Sequence, residues 1–237
     1  MGAVYQLTLR QLTGRWRLLI MTVLAAVPVA ISILVISFND APSVAEYETI
    51  VLSTMLAGSI LPLVVLAIGG PAFANEIEDR TLANLTLAPI PRAQIALPKL
   101  LATITVSAPF IAVSAFATSY VAFLGDIKAA IAVTVAGIAA VAMYASAFTW
   151  LGLVTTQAIG VGLLYIVIWE GLFAGLVSGM RILSIRHYSI ALMHGIDERR
   201  FAMTSHLNLA AAIVLVVVVV GGFLWLSIRR LRQMDVP

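Results

Sequence analysis

The chain has no cysteine among its 237 residues, which removes disulfides, thiolate chemistry and Cys-based metal sites from consideration. Charge is scarce too. Only 11% of residues are Asp, Glu, Lys or Arg, against 62% hydrophobic and a mean hydropathy of +1.07, whereas soluble proteins carry about 25% charged residues. No Gly-x-x-x-x-Gly-Lys-Ser/Thr run occurs anywhere in the sequence, so the chain lacks the phosphate loop by which many proteins bind ATP. No polar connection exceeds about 26 residues, too short for a separate globular unit.

What is present is six long apolar stretches, at about 18–38, 50–74, 100–124, 129–154, 158–180 and 207–228, with Glu170 as their single charged residue. Crossing roughly 30 Å of hydrocarbon at 1.5 Å per residue takes about 20 apolar residues, so each stretch is long enough. Lipid cannot satisfy an open strand edge, and even the Val-rich run 214–220 is therefore expected to be helical. The sequence predicts one all-α integral membrane domain over residues 1–237 with six transmembrane helices. The first apolar run follows Arg10, Arg15 and Arg17 and continues to Phe38, well beyond the roughly 7–15 residues of a signal-peptide core, which favours an uncleaved span.

Lys and Arg set the expected orientation. With the N-terminus inside, the inner segments hold Arg10, Arg15, Arg17, Arg80, Arg92, Lys99, Arg229, Arg230 and Arg232, and the outer ones Lys128, Arg181, Arg186, Arg199 and Arg200. The 39–49 loop has three acidic residues and no basic one. Both termini are thus expected on the cytoplasmic side. This asymmetry accounts for the net charge of +3, and no nucleic-acid partner is inferred from it. Ahead of the first span, Val4, Leu7, Leu12 and Trp16 alternate with Gln6, Arg10, Gln11 and Arg17, a pattern suited to the headgroup plane. Gly14 weakens helix continuity there.

The segment 75–99 between the second and third stretches is long and patterned. Asn75 reads as a helix cap, Glu76, Glu78 and Asp79 as acidic residues favoured in a first turn, and Leu82, Leu85, Pro89 and Pro91 as an apolar face and a stop. These signals predict a short amphipathic helix over about 76–88. The order Glu76, Thr81, Leu82, Leu85, Pro89, Arg92 and Lys99 resembles the cytoplasmic motif of ABC-2 type transporter permeases, with Arg80 where that family usually has Gly and Pro91 where it often has Ser. The architecture is similar as well, with an N-terminal interfacial helix, six spans and an outer segment before the last one.

The resemblance implies a permease subunit that forms a translocation path as a dimer, with an identical or homologous second permease subunit, and works in export. It implies a coupling helix, carried here by Glu76, Glu78, Arg80, Thr81, Leu82, Leu85, Pro89 and Arg92, that seats on a separate ABC ATPase subunit. ATP and Mg would be bound by that partner, and this chain would need no cofactor and would not be catalytic by itself. A bacterial-type inner membrane and contact with its lipids follow. In this family the region matching 181–206 forms short external helices.

Glu170 is expected to face the bundle interior, because a carboxylate at bilayer depth costs about 2.5–3.5 kcal/mol. Gly171, Gly175 and Gly179 form a small-residue face suited to helix packing. His187, His194 and His206 are spaced too widely for a compact metal pair and read as interfacial. Two other classes also use polytopic chains of this size: an ion-coupled secondary transporter, which would normally show several intramembrane charges or an inverted repeat, and a rhomboid-like protease using Ser178 and His206.

Overall fold

A computed structural model describes residues 2–38, 44–82, 90–173, 184–198, 201 and 208–234. Among them the secondary structure is helical throughout, without strands. The elements are α1 (Gly2–Leu12), α2 (Arg15–Ser37), α3 (Glu48–Glu78, preceded by a single α-helical turn at Val44–Tyr47), α4 (Ala93–Ala122), α5 (Ile127–Val154), α6 (Ala158–Leu164, continuing as Tyr165–Phe173), α7 (Ile185–Ile196) and α8 (Leu209–Gln233). Five of these, α2, α3, α4, α5 and α8, are long and apolar enough to cross a membrane; the apolar helix at Ala158–Gly171 is shorter. The expected span 158–180 is described only as far as Phe173, and the exact six-span arrangement stays an expectation.

The spans run alternately between two faces. The near face carries α1, the start of α2, the end of α3, the start of α4 and the end of α8; the far face carries α7 and the starts of α3 and α5. At the centre stands α5, whose Ala129, Ala132, Ala136, Ala140 and Ala145 are buried. Small side chains let neighbouring backbones approach, and α4 is its main neighbour. Gly152 marks a close backbone approach, since a Cβ there would lie 2.5 Å from the Gly70 carbonyl of α3. By contrast α8 is only 6% buried in its apolar window, against 61% for α5. An apolar helix on the rim of the bundle is stable because lipid, not water, bathes it.

The apolar residues gather at three levels: Leu61, Val64, Ile68 and Phe148 at mid-depth, Val51, Leu56, Phe123 and Leu192 toward the far face, and Phe73, Leu82, Ile95, Leu153 and Leu231 toward the near face. Three hydroxyls of α4 return to their own helix: Thr103 donates to the Lys99 carbonyl at 3.0 Å, Ser107 to Thr103 at 2.6 Å and Ser119 to Ala115 at 2.7 Å. Such back-bonding satisfies donors where no water is available. The far-side half of α3, Glu48–Ile60, is π-helical. Its side chains follow that winding, with Thr54 Oγ1 donating to the Thr49 carbonyl and Ser59 Oγ to that of Thr54. Regular α-helix resumes at Leu61, with Pro62 in the first turn.

Helix starts match local chemistry. Asp126 accepts from the Lys128 and Ala129 amides at the head of α5, and Asn208 accepts from Ala211 at the head of α8. The break between α1 and α2 falls at residues 13–14, with Gly14 extended (φ −62°, ψ 135°). The Val-rich run 214–220 is helical.

The largest difference from the sequence expectation lies at 75–82. No helix starts at 76. Asn75 and Glu76 belong to the closing turns of α3, which runs on to Glu78 because Phe73, Ala74 and Glu76 remain buried against the bundle. Glu76 and Glu78 therefore sit at the unfavourable C-terminal end of a helix dipole rather than at its start.

Candidate functional site

The near-face turn is built by the way α3 ends. Asp79 N–H donates to the Asn75 carbonyl at 2.8 Å, Arg80 N–H to Ile77 at 3.2 Å and Thr81 N–H to Glu76 at 2.9 Å. The last two bonds make a Schellman stop, whose residue after the helix must be left-handed. That residue is Arg80, with φ 56°, the conformation glycine adopts without penalty. This gives a physical reason for the glycine usual at this place in the family the sequence resembles.

Behind the turn lies a buried ion pair. Lys99 Nζ, on the second turn of α4, is 2.6 Å from Glu76 Oε1 and donates to the Ala72 carbonyl at 2.6 Å, while standing 4.6 Å from the centre of the Phe73 ring. Lys99 is fully buried and Glu76 nearly so. The pair ties the end of α3 to the start of α4, on either side of the connecting segment. The second carboxylate oxygen of Glu76, Oε2, is buried without a hydrogen-bond partner among the described residues.

Around this clamp Glu78, Asp79, Arg80 and Thr81 are exposed and Arg92 is half-buried. Leu82 is helical but only 5% exposed, in the apolar cluster with Phe73, Ile95, Leu153 and Leu231. It anchors the turn to this chain instead of offering an apolar contact to another. Leu85 and Pro89 lie outside the described residues, as does the rest of the expected helix to 88.

A second polar cluster centres on Glu170. Its carboxylate is fully buried and accepts from Tyr144 Oη at 2.9 Å, Tyr165 Oη at 3.3 Å, the Ile185 amide at 3.1 Å and the Ser184 hydroxyl. Tyr165 and Glu170 meet because Tyr165–Phe173 is π-helical, which brings residues five apart together. Four donors from α5, α6 and the start of α7 thus converge on one carboxylate inside the bundle, the arrangement an intramembrane acid requires.

From there α7 is fastened across the far face. Arg186 donates to Ser53 Oγ at 2.7 and 3.2 Å and to Thr54 Oγ1 at 3.1 Å. Gly58 leaves the room: a Cβ at that position would come within 3.0 Å of the guanidinium. His194 Nε2 lies 2.6 Å from Glu48 Oε1, both groups largely buried. Asp197 meets Lys128 at 3.3 Å, a weaker tie because Lys128 is exposed. His187 sits beside Tyr188, with ring centres 6.4 Å apart.

Sequence reasoning placed Glu76, Arg80, Thr81 and Glu170 at notable positions but missed Lys99 as the partner of Glu76. It also missed Tyr144, Tyr165 and Ser184 around Glu170, and the Glu48–His194 pair. The available signal was that each is a polar side chain in or beside an apolar stretch, where a partner is obligatory. Of the expected packing glycines, Gly171 is exposed, and a Cβ there would meet only the Ile166 carbonyl of its own helix among the described residues. Gly175, Gly179, Ser178 and His206 lie outside the described residues.

Several apolar helices with buried, paired charges define a multi-pass membrane protein. The sequence profile of a family described as ABC-2 family transporter protein matches residues 13–185. The chain belongs to that family and is a permease of the ABC transporter class, a membrane translocation component that is not itself catalytic. This assignment stands in place of the ion-coupled carrier and the rhomboid-like protease. No curated protein matches the chain.

Proposed function

We propose that this chain is the membrane half of an ATP-driven exporter in a bacterial-type inner membrane. Two permease subunits, identical or homologous, enclose the path, and a separate ATPase carrying ATP and Mg docks at the near face, which is cytoplasmic. The observation that carries this reading is the clamped turn. Glu78, Asp79, Arg80 and Thr81 are exposed directly in front of the Glu76–Lys99 pair, so force applied to the turn reaches α3 and α4 together. Packed helices joined this tightly move as a body rather than deforming.

The proposed orientation rests on charge: Arg10, Arg15, Arg17, Arg80, Arg92, Arg229, Arg230 and Arg232 gather at the near face. The α7 helix then caps the outer end, and the apolar stretch that opens with α6 supplies the sixth span. The exposed apolar faces of α6 and α8 meet lipid or the second permease.

The test reverses charge on the turn while sparing the clamp. In a Glu78→Arg/Arg80→Glu double variant the chain is expected to insert and fold normally, while co-purification of the ATPase and ATP-dependent transport fall to background. Wild-type association and transport would remove the docking assignment. Native mass measurement of the gently solubilised complex tests the assembly, and a lone, ATPase-free and transport-competent chain would overturn it.

A further inference from the structure

A cavity of about 440 Å³ opens between α1, the start of α2 and the near-face end of α3. That lies within the size range of ligand sites, roughly 300–1,000 Å³. Its polar lining is Gln11, Arg17, Asn75, Glu76, Asp79 and Thr81; Leu7 and Leu12 of α1 supply an apolar side.

Two features point to a ligand. Glu76 is 5% exposed, and its Oε2 has no hydrogen-bond partner among the described residues. Buried carboxylate oxygens are rarely left so, because the missing bond costs free energy. Glu76 Oε1 is already committed to Lys99, which leaves the buried Oε2 as the acceptor unused by the described residues, in a residue that lines the cavity. Arg17 lines the same cavity, with Nη1 donating to the Gln11 carbonyl at 3.3 Å. A planar guanidinium suits a phosphate.

We propose that this cavity binds the phosphoethanolamine headgroup of a membrane phospholipid. The primary ammonium donates to Glu76 Oε2, with Asp79 adding negative charge, and the phosphate meets Arg17. The site lies where headgroups lie: Arg15 opens the first membrane-spanning helix, and the adjacent Trp16 is 77% exposed. A lone Lys or Arg side chain from a docked protein would satisfy Glu76 but be repelled by Arg17, whereas a zwitterion satisfies both. A phosphocholine headgroup fails differently, since its methylated ammonium has no N–H to donate.

The experiment reconstitutes the full chain, with its ATPase if one co-purifies, in nanodiscs of equal dioleoyl-phosphatidylethanolamine and dioleoyl-phosphatidylcholine. Retained lipid is then counted by native mass spectrometry. One phosphatidylethanolamine per chain is expected, preferred at least 10-fold over phosphatidylcholine. Arg17→Gln should lower that retention about 10-fold; it spares the Glu76–Lys99 pair, so folding is preserved. Trp16→Ala should leave retention unchanged.

Equal retention of the two lipids, or unchanged retention in Arg17→Gln, overturns the proposal. Soluble glycerophosphoethanolamine is expected to compete only weakly, because it lacks the chains that would lie along Leu7 and Leu12. Competition at the same concentration as the lipid would assign the site to a soluble ligand and overturn the lipid. A zero-length carbodiimide cross-link from Glu76 to a lysine of the ATPase would likewise overturn it.

Discussion

Replacing Lys99 by Met removes one partner of a pair that is buried on both sides, Lys99 fully and the Glu76 side chain to 7% exposure. Removing one member of a buried pair typically costs about 3–5 kcal/mol, because the survivor keeps its desolvation penalty without its compensation. Here the survivor is a carboxylate whose second oxygen has no partner among the described residues, which places Lys99→Met at the upper end of that range. Glu76→Gln should cost less. Lys99 would retain the Ala72 carbonyl at 2.6 Å and the Phe73 ring at 4.6 Å, and an ammonium over an aromatic face keeps part of its stabilisation.

The double variant Glu76→Gln/Lys99→Met leaves neither charge stranded and should return to within about 1–2 kcal/mol of wild type. The assay is thermal unfolding of the detergent-solubilised chain followed by size exclusion. At about 2–4 °C per kcal/mol for a chain of this size, Lys99→Met should melt roughly 10 °C or more below wild type, and the double variant should recover most of that loss. If the two single losses simply add in the double variant, the side chains are not coupled. The clamp between α3 and α4, and the transmission built on it, would then be wrong.

Two further outcomes follow from the same geometry. Glu170→Leu strands the donors of Tyr144, Tyr165, Ser184 and the Ile185 amide, and at about 1–3 kcal/mol for each orphaned group it should abolish the folded fraction on size exclusion. Glu170→Gln, which keeps an acceptor oxygen, should remain folded, and equal behaviour of the two variants would show that the donors find other partners. Arg80→Gly places the residue that favours φ 56° at the Schellman position and should raise stability by about 1 kcal/mol, read as a small rise in melting temperature. A fall would mean that the Arg80 side chain carries a contact worth more than the backbone strain.

Much of the fold was legible because lipid is an unforgiving solvent. A long uncharged run in hydrocarbon has to be helical to satisfy its backbone, so the Val-rich run 214–220 and the apolar cores of α2, α4 and α5 could be located from composition alone. The order of residues from Glu76 to Lys99 likewise carried the family. Local signals misled where tertiary contacts decided. Asn75 followed by acidic residues reads as a helix start, yet α3 runs through it because buried Phe73 and Ala74 hold that turn against the bundle, and the helix stops only where Arg80 adopts a left-handed backbone.

Pairing was beyond the sequence for a related reason. An apolar run states that a charge inside or beside it needs a partner, but not which one, and His194 is 146 residues from Glu48 along the chain. Composition therefore fixed that these side chains must be satisfied. Only the folding of α7 across the far face, and of α4 back along α3, decided by what, because a hydrogen bond depends on separation in space and the sequence records separation along the chain.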